Sequence, residues 1–177
     1  MERDDKTEIR AAVITLSDKG AKGEREDLSG KAIVDFIEGM GGVVVSYDII
    51  PDEVDTLRKF LIDKADSGRI NLILTTGGTG LSPRDITPEV TLSISDREVP
   101  GFAEAMRLKS LEVTPHAMLS RAVAGIRGQT LIVNLPGSPK AVRENLELVL
   151  PALPHGIRLL KEVEGENRRH DLQVREV

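Results

Sequence analysis

The 177-residue sequence predicts an α/β layered fold with a mainly parallel sheet. Three observations carry this. Short apolar runs rich in β-branched residues, bounded by polar signals, read as buried strands. They alternate with helical segments, the pattern of a sheet layered with helices. Each run is followed by polar or glycine-rich residues, and right-handed crossovers would bring these to one edge, where open α/β sheets bind ligands.

The elements follow in order. Residues 9–16 (IRAAVITL) are the first strand, and SDKGAKGEREDL is a charged loop. Ser29 is the expected N-cap of a helix through about Glu38, with Ile33, Val34 and Ile37 on one face and GMGG as its stop. VVVSYDII (43–50) is the second strand, and residues 53–68 form an amphipathic helix carrying Leu57, Phe60, Leu61 and Lys64. INLILTT is the third strand, followed by a short helix from about Pro88, a favoured first-turn position. Residues 100–111 are helical with Phe102, Met106 and Leu108 as candidate core, and 112–129 carries no decisive pattern. TLIVNL (130–135) is a further strand, SPKAVRENLELVL a helix capped by Ser138, and PALPHGIRLLKEV another helix. Residues 1–8 and the polar stretch 164–177 read as flexible tails of a single domain spanning 1–177.

Composition narrows the function. With no cysteine, disulfides, Cys-ligated zinc and a thiol nucleophile are excluded. A net charge of -5, with both signs interleaved, argues against a nucleic-acid binder. Phe36, Tyr47, Phe60 and Phe102 are too few for a base-stacking platform. The three histidines are scattered, so His116 and His155 read as structural or surface residues. MERDDKTEIR lacks the apolar core of a signal peptide, and no apolar run approaches membrane-spanning length, so the expected compartment is the cytoplasm, with no membrane partner.

Chemistry collects behind the strands. The first ends in Ser17-Asp18, the second in Pro51-Asp52-Glu53, the third in Thr76-Gly77-Gly78-Thr79-Gly80 with Asp85 close behind, and the fourth in Asn134-Leu135-Pro136-Gly137-Ser138. The glycine loop is either a phosphate cradle, since glycine lets a ligand approach backbone N–H groups, or a tight structural turn. It is neither a Walker loop nor the dinucleotide fingerprint. Asp52 and Asp85 suit Mg²⁺, which takes carboxylate oxygen together with waters and substrate phosphates. Either could instead cap the helix that follows it. NLPGSPKAV can present Asn134 and backbone amides at a helix N-terminus, an anion site, with Lys140 in the first turn.

TTGGTG, PRDITPE, IPDE, SRAVAGIRG and NLPGSPKAV, in this order and spacing between about residues 9 and 160, resemble the molybdopterin adenylyltransferases of molybdenum cofactor biosynthesis, the Mog-type proteins and the related domains of animal gephyrin and its plant counterpart. The resemblance implies a three-layer α/β/α sandwich with a mostly parallel central sheet, assembled as a homotrimer. It implies a reaction of MgATP with molybdopterin that yields adenylyl-molybdopterin and pyrophosphate. Mg²⁺ is then the cofactor, ATP and molybdopterin are the substrates, and the metal-insertion protein of the same pathway is a candidate partner. The family's two essential carboxylates fall on Asp52 and Asp85. Its glycine loop falls on Gly77, Gly78, Thr79 and Gly80, and its pterin-side residues on Ser120 and Asn134, with Gly137 and Ser138 beside them. ITLSDKGAKGEREDLSG, which holds Ser17 and Asp18, resembles the family's opening strand and loop. In the related MoaB-type group some members lack the PRD aspartate or the asparagine before LPG, and this chain keeps both.

Three readings remain from sequence: an adenylyltransferase, a non-catalytic molybdopterin-binding or carrier protein of the same fold, and a nucleotide-binding regulatory module. The first needs Asp52 and Asp85 close enough to share a metal.

Overall fold

The computed structural model describes residues 8–161. Its element order is β1 (Arg10–Leu16), α1 (Asp18–Ala21), α2 (Leu28–Gly39), β2 (Val43–Ile50), α3 (Val54–Ala65), β3 (Leu72–Thr76), α4 (Thr87–Ile94), β4 (Arg97–Glu98), α5 (Pro100–Leu111), β5 (Ala124–Arg127), β6 (Thr130–Leu135) and α6 (Pro139–Val149). A 3-10 turn at Leu150–Ala152 leads into a last helix, α7, over residues 153–161. Apart from Glu8, whose carbonyl accepts from the Asn71 side chain at 2.9 Å, the expected flexible tails lie outside the described residues.

The sheet has the order β2-β1-β3-β6-β5-β4. β2, β1, β3 and β6 run parallel, while β5 is antiparallel to β6 and β4 to β5. Side chains alternate between the two faces of a strand, so one sheet serves two cores. Ala11, Val13, Leu72, Leu74, Leu131 and Val133 face α2, α5, α6 and α7. Ala12, Ile14, Leu16, Ile73 and Ile132 face α3 and α4. This is the expected three-layer α/β/α sandwich. β1, β3 and β6 are buried almost throughout, whereas β2, on the edge, alternates between exposed and half-buried positions.

Local differences from the sequence reading have identifiable causes. The charged loop after β1 contains a four-residue helix, because the Ser17 side chain accepts from the Gly20 N–H and caps it. The cap of α2 is Asp27 rather than Ser29: the Asp27 carboxylate accepts from the Gly30 N–H at 2.8 Å. Both residue types cap well, and the earlier one wins here. Ser29 turns inward and donates to the Gly137 carbonyl at 2.8 Å, tying α2 to the loop after β6. Leu108 is 68% exposed rather than core, since the buried stripe of α5 runs through Ala103 and Met106. Phe102 is half-buried against the same cluster. Lys64 sits on the inner stripe of α3 because its ammonium reaches Ser46 and Asp48 on β2, at 2.9 and 2.7 Å. The stretch 112–129 resolves into a 3-10 turn, Pro115–Leu119, and β5.

Asn134, on β6, is fully buried. Its amide nitrogen donates to the Thr75 and Thr91 hydroxyls at 3.0 and 2.9 Å, and its amide oxygen accepts from the Val123 N–H at 3.3 Å. One side chain therefore ties β6 to β3, to α4 and to the approach to β5. Asn134→Ala would orphan a buried N–H together with two hydroxyl contacts, a loss of about 2–3 kcal/mol. Chemical denaturation should report that loss with an unchanged slope.

Candidate active site at the carboxyl edge

The parallel strands end level: Thr15 pairs with Thr76, Leu16 with Ile50, and Thr76 with Leu135. From β1 the chain leaves toward α2 on one face, and from β3 it leaves toward α4 on the other. A crevice therefore opens between the ends of β1 and β3, the topological switch point of the sheet. A polar cleft of about 210 Å³ lies there, lined among others by Ser17, Ser29, Thr76, Gly77 and Gly137.

The glycine loop forms the crevice wall. Gly77 and Gly78 have φ of 92° and 66°, conformations that side chains disfavour. A Cβ on Gly77 would collide with the Leu16 carbonyl oxygen, so the loop can cross the end of β1 only as glycine. The Thr87 hydroxyl donates to the Gly77 carbonyl and the Thr87 N–H to the Gly78 carbonyl, which fastens the loop to the start of α4. Thr76 is buried, and its hydroxyl donates to the Pro136 carbonyl at 2.6 Å. Thr79 is buried too, and its carbonyl accepts from the Arg121 N–H.

The two candidate metal-binding carboxylates flank this loop. A methyl group on Gly78 would lie 3.5 Å from Asp52 Oδ1, and one on Gly80 would lie 2.8 Å from Asp85 Oδ2. Neither aspartate caps a helix: the N-cap positions of α3 and α4 are Glu53 and Ile86, and neither helix has a side-chain cap. Asp85 instead closes its own turn, accepting from the Ser82 N–H at 3.1 Å. Asp52 and Asp18 are locked reciprocally. The Asp18 N–H donates to the Asp52 carboxylate at 3.2 Å, and the Asp52 N–H to the Asp18 carboxylate at 3.1 Å. Arg84 adds a two-pronged ion pair to Asp18, at 2.8 and 2.7 Å.

These contacts divide the carboxylates. The Asp52 N–H, helped by Arg84, holds Asp18 below its ordinary range. Partial burial raises Asp52 above the usual 3.8, and the negative charges of Asp18 and Asp85 push the same way. A carboxylate so raised gains from a cation that neutralises it. Among the described residues no three His, Cys, Asp or Glu side chains gather as a metal cluster. The Asp52–Asp85 pair instead fits an ion that takes few protein ligands and completes its shell from water and phosphate, as Mg²⁺ does.

The remaining candidates separate. Ser120 and Pro136 line a second cleft of about 210 Å³, walled by Ala103, Met106 and Ala117 and edged by Arg107 and His116. Ser138 caps α6 by accepting from the Ala141 N–H at 3.1 Å. Asn134 lines neither cleft: it is fully buried, and its amide bonds Thr75, Thr91 and Val123. Arg121 was not singled out from the sequence, although it follows Ser120 directly: it spans the loop from Gly80 to Glu89. Asp27 was missed as well. It lines the polar cleft and accepts from the Tyr47 hydroxyl at 2.6 Å.

The raised Asp52 makes a testable statement about stability. Its proton is held more tightly folded than unfolded, so this group costs stability increasingly as pH rises through its folded value, and nothing below 3.8. Asp52→Asn keeps an acceptor for the Asp18 N–H and removes the charge. Thermal melting of this variant at pH 7 should match or exceed wild type, with the difference closing as pH falls toward 4.

Comparison with known proteins agrees with this geometry. The family described as "Probable molybdopterin binding domain" matches residues 12–155. A molybdopterin adenylyltransferase of Helicobacter pylori is 46% identical over 154 residues, 86% of this chain and 88% of that protein. The crystal structure of the molybdopterin biosynthesis enzyme MoaB from Thermus thermophilus superposes with a TM-score of 0.81 at 54% identity, covering 86% of this chain and 96% of that one. The tungsten cofactor synthesizing protein MoaB from Pyrococcus furiosus superposes with a TM-score of 0.79 at 39% identity, over 86% and 97% of the two chains. With the family match spanning residues 12–155 and the fold and most of its length shared with these proteins, the chain belongs to the molybdopterin-binding domain family.

Proposed function

We infer that this protein is a molybdopterin adenylyltransferase acting in molybdenum cofactor biosynthesis. Relatives bearing that name, at 46% and 40% identity over most of the chain, support the reading. The observation that carries it is the bracketing of the glycine backbone by Asp52 on one side and Asp85 on the other. A carrier of pterin has no use for two carboxylates paired beside a glycine backbone. A general nucleotide-binding module has no use for the second, apolar-walled cleft at Ser120.

The reaction joins two anions. A terminal phosphate oxygen of molybdopterin attacks the α-phosphorus of ATP, the bond from that phosphorus to the bridging oxygen breaks, and pyrophosphate leaves with the electron pair. The attacking oxygen is already anionic, so no general base is needed, consistent with a polar cleft that no histidine lines among the described residues. Mg²⁺, held by Asp52 and Asp85 together with the phosphates, would supply screening of the accumulated charge. The chain's own part is positional. The backbone of Gly77, Gly78 and Gly80 lets phosphate oxygens approach closely, and Arg84 counters the charge of Asp18. Ser17, Thr76 and Gly137 line the cleft that takes the nucleotide side, and Ser120 with Pro136 lines the cleft that takes the pterin side.

Asp85→Asn tests the metal role. Asn retains an acceptor for the Ser82 N–H, so the fold should lose no more than about 1 kcal/mol. As an uncharged ligand it holds Mg²⁺ poorly, so pyrophosphate release from molybdopterin and MgATP should fall by orders of magnitude while molybdopterin binding survives. Near-normal release from a normally melting variant would reduce Asp85 to a turn residue.

The homotrimer is also proposed. Leu108, Leu111, Val113, Met118 and Leu119 form a run of exposed apolar side chains along the end of α5 and the following 3-10 turn, a surface that a second copy would cover. Light scattering at micromolar concentration should report three chains, and Leu108→Glu with Met118→Glu should release monomers. A wild-type monomer would refute the assembly.

A further inference from the structure

Arg121 makes an unusual set of contacts for a residue between a cleft and a loop. Its Nε donates to the Gly80 carbonyl at 2.6 Å, and one terminal nitrogen donates to the Asp85 carbonyl at 2.6 Å. The other terminal nitrogen pairs with the Glu89 carboxylate in the first turn of α4. Its backbone N–H donates to the Thr79 carbonyl at 2.9 Å. One residue thus grips both ends of the excursion from Gly80 to Asp85, whose middle, Leu81 to Arg84, is exposed. The grip is well founded, because Arg107 on α5 donates to the Ala122 carbonyl at 2.9 Å and holds the Arg121 segment in turn.

The geometry suits a guanidinium and nothing else. Two backbone carbonyls and a carboxylate surround a planar fork with donors in three directions, whereas an ammonium is a single point on a flexible stem. A carbonyl hydrogen-bonded at 2.6 Å fixes the peptide of Asp85, and with it the origin of the Asp85 side chain. The remaining local restraint on that carboxylate is the Ser82 N–H within the same exposed turn.

We propose that Arg121 is a positioning residue for adenylyl transfer: by bridging the Gly80 and Asp85 carbonyls it keeps the Asp85 carboxylate beside the glycine backbone, ready for the metal. This rests on the adenylyltransferase reading for its purpose and on the two carbonyl hydrogen bonds for its mechanism.

The test compares Arg121→Met, Arg121→Lys and Glu89→Gln in the full chain. Mn²⁺ affinity is read by electron paramagnetic resonance with a non-hydrolysable ATP analogue, alongside melting temperature and the kcat and KM of pyrophosphate release. Arg121→Met should weaken Mn²⁺ binding by about tenfold or more, as expected for loss of a group that orients a metal ligand, and lower kcat at an unchanged KM for molybdopterin. Arg121→Lys should fall between, and Glu89→Gln, which leaves both carbonyl bonds intact, should match wild type. Wild-type Mn²⁺ affinity in folded Arg121→Met would overturn the proposal. So would a wild-type Arg121→Lys, the variant that decides if Arg121→Met does not fold. A Glu89→Gln defect equal to that of Arg121→Met would overturn it by showing that only the ion pair to α4 matters. Wild-type protein that binds Mn²⁺ and nucleotide yet releases no pyrophosphate would sink the adenylyltransferase reading, and the Mn²⁺ series would still decide the role of Arg121.

Discussion

Burial of β1, β3 and β6 on both faces is the constraint from which the rest of this structure follows. With helices above and below, a polar side chain in mid-strand needs a partner, and Thr75 and Asn134 find theirs in each other and, for Asn134, in Thr91 of α4. Every other polar group is displaced to the strand ends. Because β2, β1, β3 and β6 are parallel and end level, their displaced groups gather on one edge. The site is a consequence of how the core is built.

The edge is organised by backbone groups as much as by side chains. Asp18 and Asp52 exchange hydrogen bonds through each other's N–H, which joins the ends of β1 and β2 and sets the Asp52 carboxylate next to Gly78. Gly77 passes so close to the Leu16 carbonyl that no side chain fits, and this brings the end of β3 across the end of β1. The Ser29 hydroxyl on the Gly137 carbonyl adds the start of α2 to the loop after β6. Four loops from distant parts of the chain are thereby joined into one rim. Asp18, Asp52 and Asp85 meet there, and partial burial, with the charges of Asp18 and Asp85 added to it, raises the Asp52 pKa.

Two clefts share the segment from the end of β6 to the first turn of α6, Gly137 and Pro139 lining one and Pro136 and Ala141 the other. One is polar and lies at the switch point of the sheet; the other is walled by Ala103, Met106 and Ala117. A reaction that joins a nucleotide to a pterin phosphate needs two such sites. The segment from Gly77 to Asp85 is held by Thr87 from α4 and by Arg121 from the approach to β5.

The sequence by itself determined the strands, because apolar β-branched runs and the glycines and aspartates behind them are local signals. It also determined which edge carries the chemistry, since parallel strands leave only one. Asp52, Asp85 and the glycine loop were legible for that reason. The tertiary structure decided matters that depend on partners far along the chain. Ser29 and Asp27 are equivalent caps locally, and only the Gly137 carbonyl, 108 residues away, draws Ser29 inward. Asn134 looks like a ligand for an anion in sequence, and the hydroxyls of Thr75 and Thr91 make it an interior clamp. Leu108 belongs to an apolar pattern, yet the packing of α5 through Ala103 and Met106 turns it to the surface. Arg121 carries no signal of its own, because an arginine beside a serine can go anywhere. Its role comes from carbonyls that the fold brings to it from 41 and 36 residues away, and backbone acceptors leave no trace in a sequence.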